Sequence, residues 1–391
     1  MDSPSFRQPF SVVLLFITFH TFTCEEKECV STLQIVRSFN IHSKCNRTVL
    51  DEKDQAHVKG PVTTLLIPLL YLLALVVGLP ANVTAMWVLL AKTKKMPSTI
   101  LLINLTTADL LLILVLPFRI AYHFQGNNWI WGESFCRTTT AMFYGNMYGS
   151  ILCLMLISID RYIALVHPFG AKVFRSRKTS IYMSLVIWVI VIGAMLPLLL
   201  TQQSYTLNEP NITLCHDALP QKEQETFFFP YFASLFTLAF VIPFCVILFC
   251  YCSIIWTLMR SQERYTHAAK ITALVLVVFI ACFLPSNMIL LIHYSESHLI
   301  VGKQDLYVPY LFSLALSTFN SFIDPFIYYY VSEDFRNKAI KLFVCCRTKN
   351  YFISTLSSRN QDSYSASKFR SVSTEMSALN GGQLQKNQCL T

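Results

Sequence analysis

Seven apolar runs, separated by short polar connections, dominate the chain at 62–90, 98–124, 134–166, 179–201, 227–256, 268–294 and 306–331. Each is long enough to cross ~30 Å of hydrocarbon, so each predicts a membrane-spanning helix. Pro80, Pro117, Pro197, Pro243, Pro285 and Pro325 lie inside these runs. Proline is tolerated in such helices, where it kinks the axis and opens room between neighbours. A weaker apolar run, Phe10 to Phe22, follows Arg7 and ends in Thr21-Phe22-Thr23. It is too short to span a bilayer and predicts a cleaved signal peptide over 1–24. Residues 25–60 are polar and predict a largely unstructured extracellular tail. The bundle is expected over 61–332. From Glu333 to Val344 the pattern turns amphipathic, with Phe335, Ile340, Leu342 and Phe343 toward lipid and basic residues toward head groups. That makes 333–346 a short eighth helix, with Cys345 and Cys346 as palmitoylation sites. The remainder, 347–391, is rich in Ser and Thr (Ser363, Ser365, Ser367, Ser371, Ser373, Thr374) and reads as a disordered, phosphorylatable cytoplasmic tail. The fold class expected is an all-α membrane protein.

Composition agrees with the pattern. Charged residues make up 14% of the 391, against about 25% in a soluble domain. With 54% apolar residues, disorder is excluded for most of the chain, because disorder requires low hydrophobicity. The net charge of +9 does not point to nucleic acid, because its position is informative: basic residues collect on the cytoplasmic side of spans. Lys92, Lys94 and Lys95 lie in the first connection, Lys172, Arg175, Arg177 and Lys178 in the third, and Arg260 and Arg264 in the fifth. Arg336, Lys338, Lys341, Arg347 and Lys349 follow the last span. The other connections hold only Lys222 and Lys303. The N-terminus is therefore expected outside the plasma membrane and the C-terminus inside. Two sequons, at Asn46 and Asn211, fall on the outer side.

Charges inside spans are costly and mark function. Asp109 lies in the second run, Asp160-Arg161-Tyr162 at the inner end of the third and Asp324 in the seventh. Other polar and aromatic landmarks stand beside them: Asn82, Asn104 to Asp109, Cys136, Trp188, Pro243 with Tyr251, Phe279 to Pro285 (FIACFLP) and Asn320 to Tyr328 (NSFIDPFIY). In this order and in these spans, the set resembles the rhodopsin-like G-protein-coupled receptors. Two positions depart from the commonest pattern of that class: Phe283 where Trp is usual, and Asp324 where Asn is usual. Both variants resemble the protease-activated receptors, as do Pro117 to His123, Gly126 to Trp129, Phe143 to Tyr148, Asn211 to Asp217 and Pro285-Ser286-Asn287. The resemblance runs from about 62 to 347, and Cys136 to Tyr148 and Arg161 to Phe169 look closest to the third subtype.

The resemblance implies activation by proteolysis. An extracellular serine protease would cut after Arg37, in Val36-Arg37-Ser38-Phe39, and Ser38, Phe39, Asn40, Ile41, His42 and Ser43 would become a tethered agonist. Lys44, Arg47 and Lys59 are other trypsin-like sites. The stretch Val49 to Asp54 is acidic, like the segment that docks thrombin's exosite, but is interrupted by Lys53 and lacks an aromatic residue, and Val36 is not the preceding Pro that thrombin favours. Thrombin and trypsin-like proteases both stay open. Some two dozen residues, Ser38 to about Pro61, would serve as the tether. The implied agonist site comprises His216, Asp217, Tyr294, Tyr307 and Tyr310, with His293 behind them. Asp217 would pair with the new Ser38 ammonium or orient a loop, and each Tyr could instead be an interfacial anchor. Cys136 and Cys215 are implied to be disulfide-bonded. Cys153, Cys245, Cys250, Cys252 and Cys282 are expected as free packing residues. If Cys29 and Cys45 pair, the released fragment would stay attached; Cys24 leaves that pairing open.

Within the bundle, Asp109, Ser150, Asn320 and Asp324 resemble an allosteric sodium site, the one cofactor implied. Asp160, Arg161, Tyr162, Tyr251, Phe283, Pro285 and Tyr328 are the implied activation and G-protein-facing residues. Implied partners are the protease, a heterotrimeric G protein, arrestin and receptor kinases through the tail, membrane lipid, and a second receptor in a dimer. Which G protein couples is left open. An enzyme is disfavoured, since no GxSxG nucleophile motif and no His-rich metal set occurs. A transporter is disfavoured by the lack of repeated spans. A receptor for a diffusible nucleotide or lipid, or a co-receptor that presents a protease, are the alternatives. The Arg37-Ser38 site discriminates among them.

Overall fold

The computed structural model describes residues 32–36, 39–44, 47–50, 52–92, 96–167, 176–217, 223–261, 266–299, 306–331, 335–336 and 338. The leader over 1–24, the 347–391 tail, Cys24, Cys29, Cys45, Arg37, Ser38, Asn46, Cys345 and Cys346 lie outside them. Among the described residues, six helices are long and apolar enough to cross a membrane: Asp54–Ala91, Pro97–Phe124, Glu133–Val166, Arg177–Leu200, Thr226–Arg260 and Ala268–Ser295. A seventh helix, Tyr307–Val331, completes the bundle. These are spans one to seven below. Each expected run is a helix, with ends that differ by a few residues in spans two to seven.

The spans close into a ring. Span one packs on spans two and seven, span six on five and seven, and span three on two, four and five. Span three is therefore central, which is why so much of it is buried despite its polar residues. Side chains that would be expensive in lipid are tied between helices instead. Asn82 Nδ2 donates to the Ser321 carbonyl at 2.7 Å, joining spans one and seven. Asn104 Nδ2 donates to Ser184 Oγ at 2.8 Å. Trp188 Nε1 donates back to Asn104 Oδ1 at 2.9 Å, so one amide fastens span two to span four. Pro80, Pro117, Pro197, Pro285 and Pro325 sit inside helices as expected. Just before Pro243, the turn Phe236–Val241 widens by one residue. The wider turn makes room for the proline ring where Pro243 has no N–H to donate to the preceding turn.

Span one is counted from Asp54 because it takes in most of the short helix Glu52–Val58; a bend at Lys59-Gly60 separates that helix from the long one, which starts at about 62 as expected. The tail before it is not unstructured where it is described. Strands β1 (Thr32–Val36), β2 (Phe39–Lys44) and β3 (Arg47–Leu50) form an antiparallel sheet in that order. Their β-branched residues, Thr32, Ile35, Val36, Ile41, Thr48 and Val49, suit strands once a partner is present. A second hairpin, β4 (Ser204–Leu207) and β5 (Ile212–Cys215), joins spans four and five, with Ser204 opposite Cys215. Exposed Asn211 lies between its strands. Past span seven, Phe335 was expected against lipid but is buried in the core cluster. At the bundle's end, an apolar ring finds more contacts inward than outward.

Candidate functional site

The β4–β5 hairpin lies over one end of the bundle and is fastened to span three twice. Cys136 and Cys215 form the expected disulfide, with their Cα atoms 5.8 Å apart. Three residues earlier, Glu133 accepts from the Ser204 amide at 2.7 Å through Oε2 and from the Gln203 amide at 2.8 Å through Oε1. The Ser204 hydroxyl and Arg137 Nε also donate to Glu133, each at 2.5 Å. The connection between spans two and three adds a third fastening. The Trp129 amide donates to the Thr213 carbonyl at 2.8 Å, and Asn128 Oδ1 accepts from the Thr213 amide at 3.0 Å.

The hairpin's last residues turn inward. His216 adopts φ 64°, a left-handed conformation in which side chains other than glycine are uncommon. Its Nδ1 donates to Gln203 Oε1 at 2.5 Å, because a carbonyl oxygen can only accept. Nε2 is then left to accept from the Tyr294 hydroxyl at 2.9 Å. The imidazole meets the ring of Tyr144 edge-on at 5.4 Å. Tyr144 shares a hydrogen bond of 2.7 Å with Tyr310, and His293 stacks on Tyr310 at 4.4 Å. Tyr294 stacks on Phe232 at 4.1 Å. Asp217 accepts from the Tyr122 hydroxyl at 2.5 Å and interacts electrostatically with Arg119. The Arg119 guanidinium lies over the Phe143 ring, 5.5 Å from its centre.

His216, Asp217, Tyr294, Tyr307 and Tyr310 thus converge on one end of the bundle, at relative exposures of 0% to 2%. None of the three tyrosines stands at a lipid interface. Asp217 is turned toward Tyr122, which favours its loop-orienting role in this conformation. Five partners in this network were absent from the sequence-based set: Arg119, Tyr122, Gln203, Tyr144 and Glu133. Arg119 carried a usable signal, being a full charge inside an apolar run. The others carried none: Tyr122 and Tyr144 read as packing within apolar runs, and Glu133 and Gln203 as ordinary polar residues at span ends.

Deeper in the bundle, Asp109, Ser150, Asn320 and Asp324 come together as expected, joined by Asn146. Asn146 Nδ2 donates to both Asp109 Oδ1 and Ser150 Oγ at 3.3 Å, and Asn320 Nδ2 donates to Asp324 Oδ2 at 2.9 Å. Asp109 and Asp324 are buried and interact directly with one another. Two neighbouring carboxyl groups beside Ser150 and Asn320 are a donor set suited to a small hard cation. Between this cluster and the hairpin runs a column of rings on spans five and six. Phe236 meets Phe240 at 5.6 Å, Phe240 meets Phe244 at 5.4 Å, Phe244 meets Phe279 at 5.9 Å and Phe279 meets Phe283 at 5.3 Å. At the far end, Asp160 and Tyr251 are buried, and Arg161 and Tyr162 are partly so. The Tyr162 hydroxyl shares a 3.0 Å hydrogen bond with His167 Nε2. Pro285 is half-buried within span six. Tyr328 lies on the last turn of span seven, its side chain outside the described residues. Cys153, Cys250 and Cys282 are buried free thiols, and Cys245 and Cys252 are free and exposed.

Residues 81–328 match the family model described as the 7 transmembrane receptor (rhodopsin family). Proteinase-activated receptor 4 of Homo sapiens is 47% identical over 289 residues, covering 74% of this chain and 75% of that protein. Proteinase-activated receptor 3 of Bos taurus is 43% identical over 278 residues, covering 71% and 73%. Proteinase-activated receptor 2 of Homo sapiens is 40% identical over 336 residues, covering 81% and 83%. Identity to the fourth subtype exceeds identity to the third, toward which Cys136 to Tyr148 and Arg161 to Phe169 had leaned. The chain belongs to the proteinase-activated receptors, within the rhodopsin family of seven-transmembrane receptors.

Proposed function

We propose that this plasma-membrane receptor is switched on when a thrombin-like or trypsin-like serine protease cuts after Arg37, freeing Ser38 to Ser43 as a tethered agonist for the hairpin end of the bundle. That end faces outside and the Asp160 end faces inside. The basic connections at the Asp160 end and the exposed Asn211 sequon at the other support this orientation. The Arg37–Ser38 bond falls between strands whose Val36 and Phe39 are paired.

The observation that carries the reading is the closed mouth. The agonist-site residues are buried at 0% to 2% exposure, so a free ligand meets a site that must first open. If the open state holds about 1% of the population, apparent affinity falls roughly 100-fold. A tether supplies ~mM effective concentration, which offsets that cost. On opening, the His216–Tyr294 bond is exchanged for contacts with the agonist. Span six then shifts, carrying Phe283 and the ring column with it. Asp109, Ser150, Asn320 and Asp324 would hold a sodium ion, which would supply positive charge between the two carboxyl groups; these side chains join spans two, three and seven, the elements that rearrange on activation. At the inner face, Asp160, Arg161, Tyr162, Tyr251 and Tyr328 receive the G protein. Arrestin and receptor kinases act on the Ser/Thr-rich tail, palmitoyl groups on Cys345 and Cys346 hold the chain to lipid, and receptors pair as dimers.

The test measures calcium or G-protein signalling in cells carrying the chain, wild type and Arg37→Ala, with thrombin or trypsin added and the peptide Ser-Phe-Asn-Ile-His-Ser in parallel. Protease responses confined to wild type, with peptide responses in both, support the reading. Equal protease responses in the two move the cut elsewhere, first to Lys44 or Arg47.

A further inference from the structure

The segment between the agonist and the long helix of span one, which starts at about 62, is not a free linker. The Leu50 amide donates to the Glu209 carbonyl at the tip of the β4–β5 hairpin, 3.0 Å away. Leu50 itself is 4% exposed and Val58 is 0% exposed. The Val58 carbonyl accepts from Asn127 Nδ2 at 2.5 Å and from the Thr63 hydroxyl at 2.9 Å. Asn127 is itself held: His123 Nδ1 donates to its Oδ1 at 2.6 Å, and its φ of 61° suits the short polar side chain of Asn. The junction into span one is tight. A Cβ at Gly60 would lie 2.7 Å from the Ala56 carbonyl oxygen, and the Thr64 hydroxyl donates to the Gly60 carbonyl at 2.9 Å.

We propose that Leu50 and the Glu52–Thr63 segment form a mooring on Glu209 and Asn127, which fixes the root of the tether at Leu50 instead of at Pro61. This rests on the reading of Ser38 to Ser43 as the agonist. Six residues, Lys44 to Val49, then join agonist to receptor and reach at most ~20–22 Å. A root at Pro61 would leave seventeen residues, 44 to 60, with a reach of ~56–61 Å. Effective concentration falls roughly as the −3/2 power of linker length, so the mooring raises it about fivefold. It also aims the agonist, because the short linker starts beside the hairpin that carries His216 and Asp217. Before the cut, β2 carries Phe39 to Ser43 as the middle strand of the sheet, bonded to β1 and to β3. Freeing the agonist therefore opens the sheet back toward the moored end.

The test keeps the full-length receptor in cells and exposes Ser38 with an enteropeptidase sequence in place of residues 33–37, so it does not depend on Arg37 being the natural scissile residue. Signalling is read after enteropeptidase and after free Ser-Phe-Asn-Ile-His-Ser. Deleting residues 46–49 leaves two linking residues, which span ~7 Å. The enteropeptidase response should fall at least about tenfold, with the free-peptide response kept. Adding Asn127→Gly, which removes the clamp at a φ that glycine tolerates, releases the mooring and should restore the response. Asn127→Asp, which loses the donor to Val58, serves as the second releasing variant. A shorter deletion, 48–49, replaces the longer one where free peptide no longer acts. A deleted tether that signals like the intact one overturns the mooring. So does a loss that neither Asn127 variant restores. Silence of the intact tether after cleavage, with free peptide active, sinks the tethered-agonist reading and the mooring with it.

Discussion

Asn104 bonds to three groups on two helices: the Ile100 carbonyl at 2.7 Å, Ser184 Oγ at 2.8 Å and the Trp188 indole at 2.9 Å. In a lipid-embedded bundle the apolar surroundings cannot replace these partners, so an unmade bond is costly. Asn104→Leu leaves the Trp188 N–H without its acceptor. The expected loss is about 1–3 kcal/mol, closer to the lower end because membrane side-chain hydrogen bonds average only about 0.6 kcal/mol in double-mutant cycles. A fall in melting temperature of the detergent-solubilised receptor, with the agonist peptide's potency unchanged, is the outcome to look for. An unchanged melt would mean that Trp188 finds another partner. At this scale the sequence was informative about charge and uninformative about partners. Asp109 and Asp324 stood out because carboxylates in apolar runs are rare, and they do meet. Gln203 and Tyr122 did not stand out, although they hold His216 and Asp217 in place. Their role depends on a hairpin register that no local pattern encodes.

At the scale of elements, the β4–β5 hairpin controls access to the agonist site, and its fastenings rank by strength. The Cys136–Cys215 bond closes a loop of 79 residues, and removing such a bond typically costs 2–5 kcal/mol. Cys136→Ser should therefore abolish surface display of functional receptor. Glu133→Gln is milder. It keeps one carbonyl acceptor for the Ser204 and Gln203 amides and loses the charge that strengthens each bond roughly twofold. The predicted result is normal surface display with a several-fold loss of potency for both tethered and free agonist. A variant that lost only the protease response would point to the stalk instead of the hairpin. Spans were legible because their apolar length is a direct physical requirement of the bilayer. The tail's strands and the helix Glu52–Val58 were not, since short polar segments gain order only from what they dock against. Here that is the hairpin and Asn127.

At the scale of the whole molecule, the described surface is apolar where a soluble protein's is polar, and a polar network threads an otherwise apolar interior. Val76, Leu114, Val189, Leu238 and Val277, on five different spans, are each at least 60% exposed. Asn82, Asp109, Ser150, Asn320 and Asp324 are all buried. In water such a surface would drive aggregation, whereas in a bilayer it faces hydrocarbon at no cost. This asymmetry gives the last prediction. Val189, 71% exposed, lies midway along span four, Arg177–Leu200, and faces outward. Val189→Asp removes no interior contact, yet it places a carboxylate where insertion costs about 2.5–3.5 kcal/mol. Glu223 is exposed beyond the end of a span and accepts an exposed hydrogen bond from the Tyr205 hydroxyl at 3.1 Å, so Glu223→Lys should cost no more than about 0.5–1.5 kcal/mol. Cell-surface immunostaining of the two variants beside wild type reads the difference directly. Loss for Val189→Asp alone fits lipid on the outward face of span four. Normal display of Val189→Asp would require that face to be covered by protein, as in a receptor dimer built on span four, and a crosslink from that face between two copies would then identify the cover.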